Sequence, residues 1–142
     1  MAAIRHGPPL VSTRWFNQDG TPTRAFFDYV RSSPVGFESA EQTITAATNT
    51  TLTHGLAVKP KLYSLYLVNK TTEYGYAVSD ELQCPAFEDT SDYGAVVTAN
   101  ATSLIITVGA NGIRVPRRDA GSEGQFATIT AGSWRLIARA VE

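Results

Sequence analysis

Residues 61–69 read Lys61-Leu62-Tyr63-Ser64-Leu65-Tyr66-Leu67-Val68-Asn69. Tyrosine, leucine and valine dominate, and no helical spacing of apolar residues runs through them. Tyr63, Leu65 and Leu67 fall on one side of a period-two alternation. The stretch therefore predicts a strand with one buried face. The rest of the chain repeats this pattern in shorter pieces.

Outward from it, Thr43-Ile44-Thr45-Ala46 alternates, and Thr50-Thr51-Leu52-Thr53 follows a turn expected at Asn49. Tyr74–Val78 is short and aromatic. Tyr93–Thr98 and Thr102–Val108 predict a hairpin around Ala99-Asn100-Ala101. Asn111-Gly112 is a hairpin signal leading into Ile113-Arg114-Val115, which Pro116 stops. Phe126–Thr130 and Ser133–Val141 predict a last pair joined at Ala131-Gly132, with Trp134, Leu136, Ala138 and Ala140 on one face and Arg135 and Arg139 on the other. The expected class is all-β: a β-sandwich or jelly roll of about eight short strands. Leu65, Leu67, Leu104, Ile106, Trp134 and Leu136 are its expected core.

The first part of the chain reads differently. Gly7-Pro8-Pro9 is stiff and not helical. Asp19-Gly20 is a turn, Thr21 an N-cap and Pro22 a first helical residue. Thr23–Arg31 predicts a short helix that Pro34 and Gly36 end. Trp15, Phe16, Phe26, Phe27 and Tyr29 give this region more apolar surface than one short helix hides. An arm over residues 1–36, docking on a partner, is expected ahead of a β domain over 37–142.

Composition excludes several classes. Hydrophobic residues make up 43% of the 142, and charged residues 18%. The net charge of -1 provides no global field for nucleic acid. No apolar run is long enough to span a bilayer, and the N-terminal residues carry no secretion-signal pattern. Charge is uneven: Glu73 to Asp92 holds six carboxylates and no basic residue, whereas Arg114, Arg117, Arg118, Arg135 and Arg139 follow Gly109. Cys84 stands alone, so no internal disulfide or thiolate zinc site is possible; it reads as a small buried hydrophobe.

No nucleophile elbow, phosphate loop or zinc spacing is present. His54 reads as a turn or surface residue at a strand end. Asp80, Glu81, Glu88, Asp89 and Asp92 are oxygen donors a calcium ion can use, but their spacing matches no known loop. No cofactor and no enzymatic activity are expected. Tyr74, Tyr76 and Tyr93, with Trp134, are the aromatics available for stacking on a glycan, although strand aromatics more often pack in the core.

Two segments carry a resemblance. Leu10-Val11, Asp19-Gly20-Thr21-Pro22-Thr23 and Phe26-Phe27-Asp28-Tyr29 resemble the N-terminal attachment motif of phage tail-fibre and head-fibre proteins. Thr53-His54-Gly55-Leu56-Ala57-Val58-Lys59-Pro60, with the following KLYSLYLVNKTTEYGYAVSDEL, resembles a His-Gly-Leu, Pro, Gly-Tyr, Gly-Asp-Glu run in small β domains of phage fibres and gene-transfer-agent proteins. Ser79 stands where that run has glycine. The resemblance implies a tailed-phage virion protein assembled in the bacterial cytoplasm. It would bind other phage structural proteins through Trp15, Phe16, Pro22, Phe26, Phe27 and Tyr29, as a homotrimer and without membrane insertion. The alternative it leaves open is a lectin-like domain recognising host polysaccharide, similar in general plan to the small trimeric H-type lectins.

Overall fold

The computed structural model describes residues 16–21, 23–24, 36–88 and 90–142. The chain divides into two compact units, Met1–Val35 and Gly36–Glu142. In the first, Gly20 N–H donates to the Asn17 carbonyl at 3.0 Å, closing the turn expected at Asp19-Gly20. The Asp19 carboxylate accepts from the Thr21 backbone N–H and hydroxyl. These two bonds hold its pKa below the usual carboxylate range. The expected helix lies outside the described residues except for Thr23 and Arg24.

The second unit is all-β. Its strands are β1 (Gly36–Glu38), β2 (Asn49–Thr53), β3 (Leu62–Asn69), β4 (Glu81–Gln83), β5 (Ala95–Ala99), β6 (Ser103–Val108), β7 (Arg114–Pro116), β8 (Phe126–Thr128) and β9 (Trp134–Val141). They form an antiparallel sheet β1-β9-β3-β4, a second sheet β2-β6-β5, and a two-stranded ribbon β7-β8. The two larger sheets pack as a β-sandwich.

The pairing of β3 with β9 is the frame. All eight residues of each strand are in register, from Leu62 opposite Val141 to Asn69 opposite Trp134. One face presents Leu65, Leu67, Trp134, Leu136, Ala138 and Ala140, each at most 5% exposed. The opposing sheet contributes Leu104, Ile106 and Val108, and Ile113, just ahead of the ribbon, and Val115 within it add to them. The six residues expected in the core are all in it. Burying side chains of this size contributes roughly 1.5–3 kcal/mol each.

Local patterns misled at several points. Phe126–Thr130 and Ser133–Val141 are not a hairpin. Residues Ala131–Ser133 form a 3-10 turn, β8 pairs with β7, and β9 runs instead between β3 and β1. An eight-residue strand with one wholly apolar face needs a partner of its own length, which β3 supplies and the three-residue β8 cannot. Asn111-Gly112 is a turn, with Gly112 N–H on the Gly109 carbonyl at 3.0 Å, but it carries the chain from one sheet to the ribbon and closes no hairpin. Thr43–Ala46 is a connection that follows the Gln42–Leu136 bridge, although Ile44 still reaches the core. The turn before β2 is at Ala46-Ala47, and Asn49 already belongs to the strand. Glu81 sits in the short strand β4. Strands of three residues are too short to show a period.

Tyr74–Val78 is not a strand either. Glu73 and Tyr76 exchange both backbone hydrogen bonds, at 3.2 and 2.9 Å, around Tyr74 and Gly75, whose φ values are 52° and 82°. Two central residues at positive φ are what a type I′ turn requires. Gly75 has a second reason to lack a side chain: a Cβ there would lie 2.6 Å from the backbone of Arg118 and Asp119.

Candidate functional site

Several residues of the run from His54 to Glu81 build the frame. His54 is 4% exposed, not a surface residue. Its Nδ1 accepts from the Leu56 N–H at 3.0 Å, so Nε2 carries the proton and donates to the Asn100 carbonyl at 3.2 Å. The ring also meets Phe37 of β1 edge-on. One imidazole thus joins β2, the β5–β6 turn and β1. Leu56 and Pro60 are buried. Asn69, fully buried, donates to the carbonyls of Tyr76 and Ala77 at 3.0 Å each and accepts from Thr71 N–H, pinning the loop between β3 and β4. Asp80 caps Ala77 N–H and pairs with Arg118, and Glu81 pairs with Arg139. Ser79 has φ 73°, a left-handed conformation that glycine tolerates best.

The acidic stretch therefore does not converge. Asp80 faces Arg118, Glu81 faces Arg139, Glu88 accepts from the Ser91 hydroxyl, and Glu73 accepts from the Trp134 indole at 2.6 Å and from Thr130 N–H. Asp89 lies outside the described residues. Among those described, no group of three metal-ligating side chains comes together. Cys84 is half-buried beside the core, and burial pushes its thiol up to about 12.

The three tyrosines do gather, around the β7–β8 ribbon, but they are not equivalent. Tyr76 cannot offer a glycan a face, which corrects the expectation for it. It is 4% exposed, stacks edge-on against Trp134, and donates its hydroxyl to the Pro116 carbonyl at 2.7 Å. Burial raises its pKa, with Asp80 adding to the shift and Arg118 opposing it. Trp134 is wholly buried. Tyr74 is half-buried and tied by its hydroxyl to the Thr128 carbonyl. Tyr93 is half-buried, and no hydrogen bond holds its hydroxyl among the described residues.

A guanidinium lies over each of these rings. Arg117 stands 5.4 Å from the Tyr74 centroid, Arg118 4.7 Å from Tyr76 and Arg114 5.0 Å from Tyr93. Arg114 also lies 5.8 Å from Phe126. Arg117 forms a two-point pair with Asp119, which raises the arginine's pKa and lowers the aspartate's. In β7–β8, Arg114 opposes Thr128 and Pro116 opposes Phe126, so alternation puts these four on one face, with Val115 on the buried other. Phe126 is 53% exposed. The sequence singled out Tyr93 but not Arg114, Phe126 or Thr128. Strands this short show no period, and the pairing that unites them is not written in either segment alone.

Of the arm residues, Trp15, Pro22, Phe26, Phe27 and Tyr29 lie outside the described residues, and Phe16 is exposed. Comparison with protein-family models and with curated proteins finds no match to this chain.

Proposed function

We propose that the chain is a non-enzymatic structural protein of a tailed-phage virion: a head-fibre, tail-fibre or decoration component attached by its N-terminal segment and displaying the sandwich. The observation that carries this reading is what the second resembling run does. His54, Leu56, Pro60, Gly75-Tyr76 and Asp80-Glu81 all serve the frame, and Ser79, at the glycine position, has a φ of 73°. Residues shared because a backbone needs them mark a common fold more than a common ligand. That supports kinship with the small β domains of phage fibres. Attachment then falls to the other unit, Met1–Val35, which carries the first resembling motif. The reading brings with it other particle proteins as partners, a homotrimer as the assembled form and the virion as location.

The test is incorporation. Purified particles from the phage encoding the chain should contain it by mass spectrometry. Changing Trp15 and Phe26 together to serine should strongly reduce that signal while the circular dichroism of the purified chain stays β-type. Wild-type chain missing from the particles, or a double variant that incorporates as wild type, would overturn the proposal.

A further inference from the structure

The arginines after Gly109 differ in what they hold. Arg117, Arg118 and Arg139 each face a carboxylate. Arg135 donates to the carbonyls of Gly132 and Trp134, at 3.0 and 2.7 Å. Arg114 makes one long hydrogen bond, 3.4 Å to the Phe126 carbonyl, and no carboxylate stands within 4.0 Å of it among the described residues. Its guanidinium carbon instead lies over both the Tyr93 and the Phe126 rings. A guanidinium has five N–H donors. Here one of them reaches the Phe126 carbonyl, and the others have no partner among the described residues.

The neighbours are also uncommitted. Phe126 leaves a large part of its ring in solvent, and Thr128 is exposed directly opposite Arg114 in the ladder. No hydrogen bond occupies the hydroxyls of Thr128 or Tyr93 among the described residues. One patch thus combines an exposed apolar ring, two free hydroxyls and a cation with no carboxylate partner among the described residues.

We infer that Arg114, Tyr93, Phe126 and Thr128 form a binding site for an acidic polysaccharide, with Arg114 taking a sugar carboxylate. A uronic acid matches the combination within one residue. Its C–H face lies on an aromatic ring, its hydroxyls meet Tyr93 and Thr128, and its carboxylate accepts two N–H bonds from a guanidinium. A peptide of acidic residues alone, such as polyglutamate, would satisfy Arg114 and use the ring face little. The inference does not depend on the virion proposal, and its test uses the purified full chain alone.

The probe is a defined oligogalacturonate, titrated into the chain at low salt by calorimetry and by amide chemical shifts. Saturable binding is expected, with shifts centred on residues 93, 114 and 126–128. Arg114→Met should weaken it at least tenfold and Phe126→Ala severalfold, while Arg117→Met leaves it within twofold. Arg114→Lys, which keeps the charge without the fork, should fall between and serves if Arg114→Met does not fold. The carboxyl-reduced oligosaccharide should not bind. Absence of oligogalacturonate binding, or binding indifferent to Arg114, overturns the inference. Polyglutamate binding as tightly and without need of Phe126 also overturns it, in favour of an acidic protein partner.

Discussion

At the scale of single residues, Ser79 shows how a departure from a motif becomes a physical statement. It is exposed, its side chain makes no hydrogen bond, and its φ of 73° burdens a residue bearing a Cβ. Left-handed backbone costs a non-glycine residue about 1–2 kcal/mol, partly offset by the extra freedom glycine has when unfolded. Ser79→Gly should therefore stabilise the chain by about 0.5–1 kcal/mol in urea unfolding, with the slope unchanged. Asn69 predicts the opposite. Asn69→Ala strands two carbonyls in the loop it pins, and a loss of about 2–4 kcal/mol is expected from the same measurement. Ile106, 1% exposed, sets the register of β6; Ile106→Ala should cost about 2–5 kcal/mol. A loss below about half a kcal/mol would put the strand one residue out of register. Cys84, its thiol pushed up to about 12 by burial, should resist alkylation at pH 8 in the folded chain and react quickly once urea is added.

Elements are held across the outer face of the larger sheet by one arginine. Arg139 of β9 donates to Glu38 of β1 at 2.6 Å and to both oxygens of Glu81 of β4, at 2.5 and 2.9 Å, and stacks on Tyr66 of β3 at 4.5 Å. Both edge strands of that sheet are only three residues long, so a side-chain tie matters more than ladder bonds alone would suggest. Hydrogen bonds from Arg139 hold the Glu81 pKa below the usual glutamate range. A carboxylate depressed in the folded state contributes stability that is present above its unfolded pKa, ~4.3, and lost as pH falls through the folded value. The melting temperature should accordingly drop below about pH 4.3. Glu81→Gln should flatten that part of the profile without abolishing it, because Asp119 is depressed in the same sense by Arg117. The pair is partly exposed, so salt should narrow the difference between variant and wild type.

For the whole molecule, every described residue of the buried core lies between Ile44 and Ala140, inside the unit Gly36–Glu142. Deleting residues up to Ser33 should leave a soluble β domain with an unchanged β-type circular dichroism spectrum and a cooperative melt. Particle incorporation should be lost with the deletion if the first unit is the anchor. What the sequence determined alone is what period two can encode. The long strands β3, β6 and β9 and all six expected core residues were legible, because alternation over six to eight residues favours one face, although Tyr63, on the face of β3 expected to be buried, is 39% exposed. The turn at Asn100 was legible too, since asparagine bonds its own downstream backbone there, to Thr102 and Ser103. Tertiary structure decided the rest. Which strand pairs with which depends on matching length and apolar face across distant residues, so β9 chose β3 and β1 over its neighbour β8. Three-residue strands carry no period to read. Burial of His54 and Tyr76 came from partners 46 and 40 residues away, Asn100 and Pro116, and the patch around Arg114 exists only because Tyr93 and the β7–β8 ribbon are brought together by the fold.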